Sequence, residues 1–172
     1  MFKLVAGMVG VMLAAAMPAG ARAAVLGPDP AVCQADGPAM LVRIEGLKQR
    51  TGRLRVQSYG GDPSHYFDKG TYLRRIDFPV PSSGPITVCV PVPGNGTYAI
   101  SVRHDVDSSG KTGLSDGGGM SGNPRMSLFD VMFKRKPRPG KVQVAVEGVT
   151  RVPVVMNYVQ GGAFGPIAMA SR

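Results

Sequence analysis

Only two histidines and two cysteines occur in this 172-residue chain, and aromatic residues make up 6% of it. These shortages exclude much chemistry. Two cysteines and two histidines give no zinc-ligand spacing, and no glycine-rich phosphate loop or glycosidase-like carboxylate pair stands out. Gly119-Met120-Ser121-Gly122 lacks the Gly-x-Ser-x-Gly frame of a nucleophile elbow. A Ser121–His104–Asp105 triad fails on geometry, because neighbouring strand residues point to opposite faces and Asp105 could not orient His104. The sequence therefore predicts no enzyme, with a hydrolase as the lesser alternative. Few aromatics and 15 prolines also argue against a closed barrel that carries a hydrophobic ligand in its lumen.

Long apolar runs are scarce too. The only candidate, Leu4 to Met17, follows Lys3 and precedes the small-x-small site Ala21-Arg22-Ala23, the pattern of a secretion signal over residues 1–23. It is shorter than the roughly 20 residues of a spanning helix, although an anchor that is never cut is the other reading. No cysteine follows the run to take a lipid, and no later segment reads as transmembrane. An exported protein, periplasmic or extracellular, is the expectation.

Acids are outnumbered. After removal of residues 1–23, 18 basic residues face 11 acidic ones, a net charge of +7. This balance favours anionic partners. Lys134, Arg135, Lys136 and Arg138 crowd together beside Pro137, Pro139 and Gly140. One reading is a solvated basic hairpin turn between strands; another is a weak patch for anionic envelope polymers or lipid headgroups. No aromatic residues interleave with these charges, so specific nucleic-acid binding is not expected. In an oxidising compartment the two cysteines are expected to pair as Cys33–Cys89, with two free thiols as the alternative. Cys89 shares parity with Thr87 rather than with Ile86, Val88 and Val90, so the bridge would pin the N-terminal segment over the outer face of that strand.

Period-two patterning recurs after the signal: Met40 to Glu45, Leu54 to Gln57, Ile86 to Val92, Tyr98 to Arg103, Phe129 to Phe133, Val142 to Glu147 and Val152 to Tyr158, with a fainter segment at Tyr72 to Phe78. No helix is expected. The pattern predicts an all-β fold, a single antiparallel β-sandwich of seven to eight strands over residues 24–160, and a flexible C-terminal tail over 161–172. Gly60 to Gly70 and His104 to Ser127 lack strand patterning, and the second is long enough to imply function or disorder.

That second stretch opens with Asp105-Val106-Asp107-Ser108-Ser109-Gly110. Oxygen side chains fall at positions 1, 3 and 5, glycine at 6, the Lys111 carbonyl at 7 and Asp116 at 12. Alternate side chains in such a loop can converge on one calcium ion while Gly110 permits the sharp turn. Asp105, Asp107, Ser109, Lys111 and Asp116 are the candidate ligands, and three carboxylates imply an affinity of roughly 0.1 to 1 mM. The competing reading is an Asx- and Gly-rich surface turn without metal.

Gly96-Thr97-Tyr98-Ala99, His104-Asp105 with Asp107, Gly110 and Lys111, and Asp116-Gly117-Gly118-Gly119-Met120-Ser121-Gly122-Asn123 together resemble the bacterial exported domain-of-unknown-function family two-one-four-one. The resemblance takes in nearly all of residues 24–172. Asp107 and Ser109 stand where the family usually has asparagine, and Met120 where it has phenylalanine. It implies a transthyretin-like or immunoglobulin-like sandwich and brings no activity with it. His104, in parity with Val102 and Ile100, is expected half-buried at the core-facing strand end, shaping the loop by hydrogen bonds to its backbone; catalytic base or metal ligand is the sharper alternative. His65 reads as an exposed loop residue. The functional expectation is a binding or structural module of the cell envelope.

Overall fold

The computed structural model describes residues 24–35 and 37–167, so the expected signal segment 1–23 and the end of the expected tail, 168–172, lie outside the described residues. Alternation of apolar and polar side chains lays down most of the strands. In chain order they are β1 Val25–Leu26, β2 Ala39–Glu45, β3 Arg53–Tyr59, β4 Arg74–Pro79, β5 Ile86–Pro91, β6 Gly96–Asp105, β7 Gly117–Met120, β8 Val144–Val146, β9 Val149–Val155, β10 Asn157–Gln160 and β11 Ala163–Pro166. One short helix, α1 Leu128–Met132, and 3-10 turns at Pro63–His65 and Pro139–Lys141 complete the described elements.

The eleven strands form two sheets, and the fold is all-β. A four-stranded sheet has the order β1-β5-β2-β9. The other has seven strands along the path β11-β10-β7-β6-β3-β4, with β8 paired to the start of β6. Both contribute to one core. Met40, Val42, Val88, Val90, Val152 and Val154 enter it from the first sheet, and Leu54, Val56, Ile100, Val102 and Tyr158 from the second. The expected disulfide is present between Cys33 and Cys89, with Cα atoms 5.9 Å apart. Cys89 lies opposite in parity to the core residues of β5 yet is fully buried, its sulfur bonded to Cys33 of the N-terminal segment, whose β1 pairs in parallel with β5.

Several expectations are corrected. Eleven strands replace seven or eight, and the sheets are not purely antiparallel: β1 runs parallel to β5 and β2 parallel to β9. The apolar run 152–158 is two strands. At Met156, whose N–H donates to the Glu45 carbonyl at 2.8 Å, the chain passes from one sheet to the other. Both sheets face the same core, so the alternation continues unbroken through the switch. Phe129, Val131 and Phe133 are not a strand. Ser127 accepts the Asp130 N–H at 3.2 Å and Asp130 accepts the Ser127 N–H at 2.9 Å, a reciprocal cap that starts α1 in place of extended chain. The stretch 104–127 holds β7, whose three glycines carry no apolar signal. Ala163–Pro166, expected within the tail 161–172, instead pairs antiparallel with β10.

Among the described residues no helix is long and apolar enough to cross a membrane. The bridge closes a long loop, with a sequence separation of 56. Reduction is therefore expected to lower the unfolding free energy by roughly 4 kcal/mol in the chain-entropy account, read from urea melts with and without reductant. Equal midpoints in the two melts would show that the bridge contributes nothing.

Candidate functional site

The elaborated end of the seven-stranded sheet starts from a buried polar network. His104 on β6, Gly117 on β7 and Tyr158 on β10 lie in one row across three strands. The outer two strands are about 9.6 Å apart, and the Tyr158 ring crosses that gap over Gly117, where any Cβ would overlap it. Its hydroxyl meets His104 Nδ1 at 2.6 Å, and His104 Nε2 meets the Thr51 carbonyl at 2.8 Å. A carbonyl only accepts, so Nε2 carries the proton and Nδ1 accepts from the tyrosine. Both side chains are fully buried. Burial pushes the Tyr158 phenol up to about 12, with a backbone hydrogen bond from Lys48 opposing and the Asp116 charge adding to the rise. His104 thus faces the core as its parity predicts. Its partners, however, belong to the β2–β3 connection and β10 rather than to the acidic loop.

The acidic loop spans the gap between β6 and β7, its two ends held by this row. Oxygens of Asp105, Asp107 and Asp116 gather within 4.8 Å of one another. Beside them the Ser109 hydroxyl donates to the Lys111 carbonyl at 3.2 Å. The carboxylates already have donors. Asp105 accepts the Ser109 and Gly110 N–H groups at 3.1 and 2.9 Å, and Gly110 takes the positive φ of +74° that the turn needs. Asp107 also accepts from Ser109 N–H, and the Ser109 hydroxyl and backbone hold its carboxyl below the usual carboxylate range. Asp116 accepts the Val106 and Gly113 N–H groups at 3.1 and 3.0 Å. The Arg103 guanidinium lies 3.3 Å from Asp116 and 3.7 Å from Asp105.

Beyond β7 the chain makes an arch over residues 124–141 and returns to its starting point. Ser121, fully buried, accepts the Ile100 N–H at 2.9 Å and donates to the Val142 carbonyl. Gly122, at φ +71°, lets the backbone meet the Lys141 carbonyl where a side chain would collide. Asn123 accepts the Val155 N–H at 2.8 Å and donates to the Pro153 carbonyl at 3.2 Å. The ends of the arch are thereby clamped to the sheets. It carries α1 and the basic run, which is a helix-to-turn connection and not a hairpin. Lys136 reaches Asp68 at 2.6 Å and the Ser64 carbonyl at 3.1 Å, and that bond holds Asp68 below the usual carboxylate range. Arg135 lies 3.7 Å from Asp130 and over the Phe133 ring. His65 is exposed.

Between the arch and the outer face of the sheet lies a groove of about 790 Å³. Arg103, Gly118 and Asn157 form one outward row of its floor, flanked by Met120, Val159 and Phe164. Leu128, Val131 and Met132 of α1 form its wall, and Leu114 its rim. Sequence reasoning missed it. Its floor is a strand of glycines, and its wall was read as another strand.

The Tyr158 network yields a test with a defined sign. Above pH 10 the unfolded chain gives up its phenolic proton, while the folded chain keeps this one until about 12. Stability from this residue is complete below pH 10 and is lost as pH rises through that window. Tyr158→Phe is expected to flatten the wild-type loss between pH 10 and 12 in unfolding titrations. At neutral pH it should cost about 1–3 kcal/mol by orphaning His104 Nδ1. An unchanged alkaline profile would remove Tyr158 from the account.

Comparison with curated proteins and with solved structures gives no match. A family model matches residues 42–152, a span that includes His104, the acidic loop and the arch. The chain belongs to the DUF2141 family, described as uncharacterized proteins conserved in bacteria.

Proposed function

We propose that the protein is an exported, non-catalytic binding module on a transthyretin-like or immunoglobulin-like sandwich, and that it docks on anionic lipid surfaces through the outer side of the arch. One observation carries this reading. Phe129 and Phe133, on and just after α1, are 67 and 65% exposed, immediately before Lys134, Arg135, Lys136 and Arg138. Phe129 and Phe133 stack one helical turn apart, their centroids separated by 6.4 Å. Exposed apolar area beside cations matches a surface with an apolar interior and a negative face, where each nearby basic residue adds about 1 kcal/mol. The non-catalytic part is supported by commitment of the reactive groups: both His104 nitrogens, the Ser121 hydroxyl and both cysteine sulfurs have partners.

Sedimentation with vesicles tests it. Binding to phosphatidylglycerol vesicles should exceed binding to phosphatidylcholine vesicles, fall as salt rises, and drop about tenfold in Phe129→Ala/Phe133→Ala. Salt-sensitive binding to an acidic polysaccharide that ignores the phenylalanine changes would favour the anionic polymer instead. Equal binding to neutral vesicles would sink both.

For the acidic loop we infer that Arg103 supplies the positive charge that a calcium ion would otherwise supply. The support is its reach to Asp105 and Asp116 and the backbone N–H groups already on all three carboxylates. Thermal melts in millimolar calcium and in chelator are expected to coincide, and Arg103→Ala to melt lower. A calcium-dependent rise in Tm that Asp107→Ala abolishes would establish the calcium reading in place of this one; at a hundredfold excess over Kd it would amount to about 2.7 kcal/mol.

A further inference from the structure

The groove behind α1 is lined by neither Phe129 nor Phe133, and four observations converge on it. Its volume of about 790 Å³ lies within the range of sites for small organic ligands. Its floor is open because of one residue. Gly117 and Gly119 point at the core, where a Cβ would overlap Tyr158 or come within 2.7 Å of Val154, but a Cβ at Gly118 would meet nothing within 4 Å and would project into the groove.

Backbone strain gathers there as well. Among the described residues four non-glycine positions have left-handed φ values, and three of them, Phe67, Asn123 and Lys134, line this groove. Phe67, at φ +66°, is a bulky residue held in a conformation it disfavours, with its ring edge-on to Tyr59 at 5.0 Å. Such outliers persist where the surrounding structure over-determines them, and they cluster at ligand clamps.

The fourth observation is charge. Three acids line the groove and each has a cation beside it: Asp68 with Lys136, Asp116 with Arg103, and Asp130 with Arg135. That leaves Lys69 and Lys134, both exposed on the lining and without an ion-pair partner among the described residues. An apolar trough with two uncommitted ammonium groups is complementary to a molecule with an apolar chain and an anionic end.

We propose that the groove between α1 and the outer face of β7 and β10 binds a single-chain anionic amphiphile of the long-chain fatty acid type. The chain lies over Gly118 against Val159 and Val131, and the carboxylate is received by Lys69 and Lys134. The site shares Lys134 with the cations proposed for lipid docking, but its lining includes neither Phe129 nor Phe133, so the two proposals fail on different variants.

The test uses the disulfide-bonded protein and monomeric palmitate, without vesicles, followed by calorimetry. Palmitate is expected to bind in one-to-one ratio and palmityl alcohol at least tenfold more weakly. Lys69→Ala/Lys134→Ala should abolish that preference while leaving the melt unchanged, since both side chains are exposed. Gly118→Phe fills the floor at a position with no left-handed φ and should weaken palmitate at least tenfold with the melting temperature kept. Phe129→Ala/Phe133→Ala, which changes only the outer side of α1, should bind palmitate as the wild type does. No palmitate binding by the wild type, binding undiminished by Gly118→Phe in a folded protein, or alcohol and acid bound alike would each overturn the proposal. A dimer in sedimentation velocity that Gly118→Phe disperses, with palmitate inert, would assign the groove to a second copy of the chain.

Discussion

The contact on which the elaborated end of this molecule depends is the reach of Tyr158 across Gly117 to His104. Two side chains on strands separated by a third do not normally meet. They meet here because the intervening residue has no side chain, and the buried phenol and imidazole can then satisfy each other away from water. One hydrogen bond sets the spacing of β6, β7 and β10, and the other, from His104 to Thr51, ties the β2–β3 connection to the same point. The acidic loop begins at one end of this row and ends at its centre. Its compact form therefore has fixed anchors before any of its own hydrogen bonds are considered.

The price of that contact is a strand of glycines, and its outer consequence is as important as its inner one. Gly117 and Gly119 make room for Tyr158, Val154 and Met156 within the core. Gly118, between them, leaves the opposite face bare. Strand alternation guarantees that a bare patch on one face accompanies close packing on the other. The arch, held at its base by Ser121, Gly122 and Asn123, rises over this patch instead of collapsing onto it. Its helix consequently has apolar residues on two sides, Leu128 and Val131 toward the groove and Phe129 and Phe133 toward solvent.

Charge follows the same division. The acids near this end of the sheet are engaged by donors of the protein itself, through Arg103, Lys136, Arg135 and the backbone of the acidic loop. The excess of positive charge evident in the composition is thus left at the rim and along the arch, where it can meet an anion. A loop whose ligand spacing resembles that of a calcium site has an N–H donor on each of its three carboxylates and one guanidinium beside two of them.

Much of this was legible in the residues. The β-class, the core faces of β2, β3, β5 and β6, the inward direction of His104 and the Cys33–Cys89 pairing all follow from period-two parity and from the count of two cysteines. The helix α1 was not expected: alternation at Phe129, Val131 and Phe133 outweighed the one local signal for it, the Ser-x-x-Asp cap of Ser127 and Asp130. The strand switch at Met156, the pairing of β7 and the parallel neighbours of β2 and β5 were beyond reach. A sequence records which side of a strand is apolar, not which sheet the strand joins, and glycine records neither. What the chain determined by itself is the set of faces that must leave water. Which polar groups meet inside, that Tyr158 finds His104 and Arg103 finds Asp116, and that an open groove lies behind the arch, only the tertiary structure decided, because each depends on the distance between residues that no local periodicity relates.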